Sequence, residues 1–313
     1  MPIKVPDLSP ANIQLKDEGV MVMTSSDALR QDIRPLQIGL LNLMPNKLQT
    51  EVQFARLLGA TPLQVELTFV SLETYKPKNT NAEYLADFYK PWSMVSEQRF
   101  DGFIITGAPV ETMEFSDVAY WSELERIFNW TATNVYSSVF VCWGAMAAFK
   151  HFHDIEKQAL SQKAFGVFNH QNLNPLSEYL KGFSDEVFVP VSRWTTLERS
   201  DVENVAEVLL DHSEVGPCLT YEEEGRRLYM LNHLEYDSNS LAEEYFRDVK
   251  SGVGINIPLI YFDQDDPENQ PVNRWRSLGQ LFYRNWINSV YQNTPYDLNE
   301  IDLRDSNNVD SAI

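Results

Sequence analysis

Four short, almost wholly apolar runs, at 36–43, 65–72, 101–106 and 137–141, recur through the first half of the chain, and helical stretches or tight turns separate them. A strand buried on both faces reads as a continuous apolar run, and parallel neighbours need crossovers long enough for a helix. The segment 48–59 supplies one such crossover, with Val52, Phe54, Ala55, Leu57 and Leu58 at helical spacing and Gly59 to stop it. The segment 120–134 supplies another, while Gly107-Ala108-Pro109 makes a tight turn after the third run. This β-α-β-α-β-α-β order predicts an α/β fold with a largely parallel sheet and helices on both faces. Beyond residue 148 the runs at 165–170, 187–191, 205–210, 217–221 and 227–231 are shorter and broken by Asn174-Pro175 and Gly216-Pro217, so antiparallel or mixed strands are expected. A helix is expected over 239–250, an ordered surface excursion over 257–271, and a further helix over 275–291 whose aromatic stripe reads as core or subunit contact. The expected organisation is one domain over 36–298, an extended arm over 1–35 and a polar tail over 299–313.

Composition narrows the function classes. The formal charge of −20 over 313 residues repels a phosphate backbone, and no basic cluster overrides it, so nucleic acid is not an expected partner. No apolar run approaches the roughly 20 residues that span a bilayer, and the N-terminus has no charged segment leading into an apolar one, which gives a cytoplasmic expectation. Cys142 and Cys218 are the two cysteines, which fits a reducing compartment rather than a disulfide framework.

Cys142 stands where the fourth apolar run meets Trp143-Gly144-Ala145-Met146-Ala147-Ala148, a strand entering a helix through small residues. A side chain there projects from the carboxyl edge of the sheet, and the first amides of the helix favour a thiolate and can bind an oxyanion. On that segment alone a buried structural cysteine is the commoner outcome. The downstream strand 227–232 changes the balance, because it ends in His233-Leu234-Glu235 and so delivers a base and a carboxylate to a similar strand end. Cysteine, histidine and acid together point to a nucleophilic triad. The other histidines, His151, His153, His170 and His212, form no metal-ligand pattern, and no metal is expected.

The chain resembles the homoserine O-acyltransferase family related to homoserine O-succinyltransferase. The resemblance runs from Met1 to Leu298 through Met-Pro-Ile-Lys-Val-Pro at the start, Leu-Asn-Leu-Met-Pro-Asn-Lys ending at Lys47, Phe-Asp-Gly-Phe-Ile-Ile-Thr-Gly-Ala-Pro ending at Pro109, Asp-Val-Ala-Tyr-Trp ending at Trp121, Phe-Val-Cys-Trp-Gly-Ala around Cys142, Glu-Tyr-Asp from Glu235 and Thr-Pro-Tyr-Asp-Leu ending at Leu298. It implies a flavodoxin-like fold similar to class I glutamine amidotransferases with a Cys-His-Glu triad. By the same resemblance Cys142 takes an acyl group from a coenzyme A thioester, His233 is the base and Glu235 orients it. Backbone amides of Ala108 and Trp143 then bind the oxyanion, Lys163, Ser192 and Arg247 fall where the family binds the amino-acid acceptor, and Lys47 matches a supporting lysine. Glycine at position 111 goes with succinyl-CoA in that family and glutamate with acetyl-CoA; this chain has Glu111.

The expectation is therefore acetyl transfer from acetyl-CoA, a co-substrate rather than a resident cofactor, to the hydroxyl of L-homoserine. Departures from the family pattern at Met146, Val191, Asn232 and Leu234 leave L-serine open as the acceptor, since one methylene is worth only about 1–3 kcal/mol of discrimination. Homoserine O-succinyl transfer, glutamine amide hydrolysis on the same fold and a non-enzymatic metabolite sensor are the rival readings. A homodimer is expected from the resemblance and from the aromatic C-terminal helix.

Overall fold

The computed structural model describes residues 3–4, 9–18, 22–23, 34–75 and 80–301. Two short strands, β1 (Ile3–Lys4) and β2 (Val22–Met23), lie on either side of helix α1 (Pro10–Asp17). Within the stretch read as an extended arm, α1 is thus a helix. Its start signal is local: the Ser9 side chain accepts the Ala11 amide at 3.2 Å, Pro10 fits the first turn, and Ala11 and Leu15 are buried. The polar tail lies outside the described residues from 302 onward.

The parallel half follows the order that the apolar runs set. Strand β3 (Leu36–Leu41) leads through α2 (Lys47–Leu58) to β4 (Val65–Ser71), then through α3 (Ala82–Phe88), β5 (Lys90–Pro91) and α4 (Trp92–Val95) to β6 (Phe100–Ile105). Helix α5 (Trp121–Asn134) returns to β7 (Val135–Val141), which enters α6 (Trp143–His153) at Cys142. The second half is β8 (Gln158–Asn172), β9 (Glu186–Thr196), α7 (Arg199–Glu203), β10 (Glu207–His212), β11 (Gly216–Glu222) and β12 (Arg227–Met230), followed by α8 (Ser240–Lys250) and α9 (Arg276–Asn293). The sequence reading did not include the short α3, whose seven residues are at most partly buried.

One sheet takes all twelve described strands, in the order β2-β1-β4-β3-β6-β7-β12-β11-β10-β8-β9 with β5 beside β4. Pairing is parallel from β2 across to β12 and antiparallel from β12 to β9, the mixed arrangement expected of the second half. Alternate strand residues feed two cores. Ile38, Leu40, Ile104, Val139, Val141 and Met230 pack on the side of α2 and α9, whereas Leu41, Phe103, Ile105, Phe140 and Tyr229 pack on the side of α5 and α6. The aromatic stripe of α9 belongs to the first core: Phe282, Tyr283 and Trp286 are fully buried in this chain. The order in which strands are added to the sheet reverses between β3 and β6, and a ligand crevice is expected beyond the carboxyl ends of strands at such a switch.

At the carboxyl ends of β6 and β7 the two backbones meet closely at Gly144. A Cβ placed there would lie 2.6 Å from the Thr106 carbonyl oxygen and 3.0 Å from that of Ile105, both backbone atoms that cannot swing aside. The helix after Cys142 can sit against the end of β6 only because this position has no side chain. Gly144→Ala is expected to lower stability by roughly 1–3 kcal/mol through overpacking, read from the denaturant midpoint; an unchanged midpoint would show that the α6–β6 contact yields freely.

Candidate active site

Cys142 occupies a backbone conformation of φ 52 and ψ −120, between the end of β7 and the first residue of α6. A non-glycine residue at positive φ costs on the order of 1–3 kcal/mol and persists only where its surroundings fix it. Here the Cys142 amide donates to the Met230 carbonyl at 2.7 Å, while its carbonyl accepts from Ala145 at 3.0 Å and Met146 at 3.2 Å. The Cys142 side chain makes no capping hydrogen bond, and the Trp143 and Gly144 amides have no preceding helical turn to donate to. Beside them runs the Gly107-Ala108 turn: a Cβ on Gly107 would lie 3.1 Å from the Cys142 Cβ, 3.6 Å from its sulfur and 3.6 Å from the Trp143 nitrogen. The Gly107 backbone and the start of α6 therefore both pack against the residue that carries the thiol.

The parallel register of β7 with β12, Val141 beside Met230, brings His233 to the same edge. The His233 amide donates to the Pro190 carbonyl at 3.0 Å, and its ring stacks on Tyr236 with centroids 4.0 Å apart. His233 Nδ1 lies 2.6 Å from Glu235 Oε1, which leaves Nε2 for the Cys142 thiol, a hydrogen-bond partner of the same ring. All three side chains are largely buried, at 9%, 5% and 7% exposure for Cys142, His233 and Glu235. Burial alone pulls the His233 pKa down, but the Cys142 sulfur and the Glu235 carboxylate more than offset it and hold the imidazole well above its ordinary range. The group so formed is a thiol and an imidazole poised to exchange one proton.

Strand β9 crosses over this cluster, and consecutive residues reach different parts of it. Ser192 Oγ donates to Glu244 Oε2 at 2.5 Å, Arg193 reaches Asn232, the Trp194 amide donates to Glu111 Oε2 at 2.9 Å, and Thr195 Oγ1 lies 3.3 Å from the Met146 sulfur. Glu111 is half-buried, and its carboxyl is raised above the usual range by burial against the opposing pull of the Trp194 amide, Lys163 and His233. Lys163 bridges Glu244 at 3.2 Å and Asp248 at 3.3 Å, two acids one helical turn apart on α8. Tyr236, the ring stacked on His233, donates to the other oxygen of Glu244 at 2.7 Å. Arg247 sits at the rim, 64% exposed and paired with Asp248.

Glu244 is the central residue of this side that the sequence reading missed. Its signal was present as the i, i+4 acid pair Glu244 and Asp248 flanking Arg247, but nothing in the chain says that Lys163 faces that helix. The positions that left the acceptor open are packed away: Met146, Val191 and Asn232 are fully buried and Leu234 is 2% exposed. Lys47, expected beside the site, has other partners: its ammonium donates to the Asn42 carbonyl and lies 5.8 Å from the Tyr89 ring centroid, at the end of β3, two strands from β7. Burial pulls its pKa down to about 8 against the opposing charge of Glu51. Among the described residues no cluster of three His, Cys, Asp or Glu side chains could hold a metal ion, and no helix is long and apolar enough to cross a membrane.

Solved structures of this shape include a glutamine amidotransferase from Thermotoga maritima (10% identity, TM-score 0.54, covering 82% of this chain and 99% of that one) and a glutamine amidotransferase from Methylobacillus flagellatus (13% identity, TM-score 0.51, covering 82% and 95%). At such identities they establish the fold alone, an α/β sheet of the class I glutamine amidotransferase type. In sequence, the chain is 59% identical to a homoserine O-acetyltransferase of Rhizobium rhizogenes over 96% of this chain and 98% of the relative. It is also 59% identical to one of Sinorhizobium fredii over 97% and 100%, and 56% identical to one of Hyphomonas neptunium over 96% and 99%. A model of the homoserine O-succinyltransferase family matches residues 2–296. With nearly its whole length matched, the chain belongs to the homoserine O-succinyltransferase family.

Proposed function

We propose that this chain is a homoserine O-acetyltransferase that carries the acetyl group as a thioester on Cys142. The observation that carries the mechanism is the buried Glu235, His233 and Cys142 relay at a strained strand-to-helix turn, with the Gly107 backbone packed beside the thiol; the Ala108 and Trp143 amides are the expected oxyanion donors. In the first half-reaction His233 holds the thiol proton, the thiolate attacks the acetyl-CoA carbonyl, and the departing coenzyme A sulfur takes that proton. Donors on the developing oxyanion matter most here, since one such donor is typically worth about 10²–10³-fold in rate. In the second half-reaction the acceptor hydroxyl gives its proton to His233 and attacks the thioester, and Cys142 leaves as thiolate.

The acceptor is a zwitterion and needs one group of each sign. Arg247 suits its α-carboxylate and Glu244 its ammonium, three residues apart on α8, with Lys163 and Ser192 fixing the Glu244 carboxylate. The relatives' names support L-homoserine over L-serine. The resemblance supports a cytoplasmic address and a homodimer; because the aromatic stripe of α9 is core, it lends the dimer no support.

Mass spectrometry after incubation with acetyl-CoA alone is expected to find one acetyl group on Cys142. Cys142→Ala loses the adduct and turnover, Cys218→Ala keeps both, and full activity in Cys142→Ala would end the thioester mechanism. His233→Ala is expected to retain slow acylation but to lose transfer to L-homoserine by at least roughly 10²-fold. Glu235→Ala is impaired similarly or less; parental turnover in both variants would show that the relay is not the catalytic one.

Glu111 sets the donor by charge and volume. Two like charges about 5 Å apart at an effective dielectric near 20 repel by roughly 3 kcal/mol, on the order of a hundredfold in rate. Glu111→Gly is expected to raise kcat/KM for succinyl-CoA relative to acetyl-CoA by at least roughly tenfold, and Glu111→Gln, which keeps the volume, to give a partial gain. An unchanged donor ratio in Glu111→Gly would remove this residue from donor selection.

A further inference from the structure

Arg193 is a charged side chain with no exposure at all, at an inward position of β9 between Val191 and Thr195. Its guanidinium donates to Asn232 Oδ1 at 3.2 Å, to the Thr195 carbonyl at 2.9 Å and to the Val215 carbonyl. All three acceptors are neutral, and a buried cation held only by neutral groups carries a desolvation cost of several kcal/mol. Burial indeed lowers its hold on the proton, and the groups that oppose this are Cys142 first, then Cys218 and Glu111. Cys218, fully buried, is pushed up to about 12 by burial and stays a neutral thiol. Glu111 accepts from the Trp194 amide and feels the charges of Lys163, His233 and Arg193 together. From the far side of Asn232, His170 is pulled down to about 3 by burial and is neutral. Tyr236, which also faces Cys142, is held protonated by burial. Of the groups that support the Arg193 charge, the Cys142 sulfur comes first, and the Glu111 carboxylate, which Arg193 in turn draws down, is the other that can carry negative charge.

We propose that Arg193 is a positioning residue that keeps a fixed positive charge behind Cys142 and, through Asn232, holds the turn that carries His233. The inference rests on the Cys142 thioester mechanism above. A permanent cation there acts differently in the two half-reactions. Before acylation it favours the state in which the thiol proton has moved to His233, leaving thiolate and imidazolium. Acylation turns the thiolate into a neutral thioester, and the coenzyme A sulfur carries the imidazolium proton away. The Arg193 charge then disfavours reprotonation of His233 from solvent, which leaves the imidazole free to take the proton of the acceptor hydroxyl. Asn232 links the two effects geometrically, since it is adjacent in the chain to His233 and is clamped between Arg193 and His170.

The test compares the parent with Arg193→Gln and Arg193→Lys in two measurements: single-turnover acetylation of Cys142 by acetyl-CoA, and the pH profile of Cys142 alkylation by iodoacetamide. Arg193→Gln is expected to acetylate roughly tenfold or more slowly, with its alkylation profile displaced to higher pH. Arg193→Lys, which keeps the charge and loses the planar fork, is expected to recover most of the rate and the parental profile. A folded Arg193→Gln with parental rate and profile overturns the proposal, and equal losses in both variants overturn the role of the charge. If thermal melting shows Arg193→Gln unfolded, the lysine variant decides: a parental profile supports the proposal and a displaced one overturns it. A parent that forms no adduct on Cys142 would sink the thioester mechanism itself, and this inference with it.

Discussion

The parallel pairing of β7 with β12 sets the geometry of everything at the carboxyl edge of the sheet. Cys142 ends one of these strands and His233 follows the other by three residues, so the Val141 to Met230 register sets the reach between thiol and imidazole. The Cys142 amide is anchored to the Met230 carbonyl, which ties the strained turn to the same pairing. A slip of one residue would turn every side chain of β12 to the opposite face. It would exchange Leu228 and Met230 in one core for Tyr229 in the other, which burial on both faces forbids.

Around that pair the site is assembled from elements remote in sequence, each bringing one kind of group. The chain leaving β6 supplies the Gly107-Ala108 turn, and the start of α6 packs beside it. Strand β9 crosses above and ties Glu111, Asn232 and Glu244 to consecutive residues. Helix α8 presents acids to Lys163 and leaves Arg247 at the rim. Charge is nearly balanced within this small volume, where the dielectric is low and each unpaired charge is costly. Chemistry that moves one proton between Cys142 and His233 therefore shifts the balance felt by every other member.

Much of this was legible in the chain. Apolar runs bounded by helical spacing located β3, β4, β6 and β7 to within two residues, because a strand buried on both faces has little freedom of composition. Helix α1, capped by Ser9, was not read within the extended arm expected over 1–35, since a short helix with few apolar positions resembles extended chain when no partner is in view. Helix α3 is only seven residues long, and its Tyr84, Leu85 and Phe88 pack partly buried against the core without any residue fully buried, which leaves little periodicity to read. Cys142, His233 and Glu235 were legible as residues at strand ends, since strand ends are where parallel sheets place their chemistry.

Burial periodicity and strand termini are local properties, so the sheet, its helical crossovers and the three residues at its edge are written in the chain itself. Which side chains share the site is not, because that was settled by packing between distant segments. That Lys163 meets Glu244 and Asp248, that Lys47 turns to Asn42 and Tyr89, and that Arg193 is buried among neutral acceptors are facts about elements meeting across the molecule. A charged residue in a strand reads the same whether it faces water or a thiol. The difference arises only when the β8 and β9 hairpin folds over the carboxyl edge and excludes the solvent that would otherwise screen it.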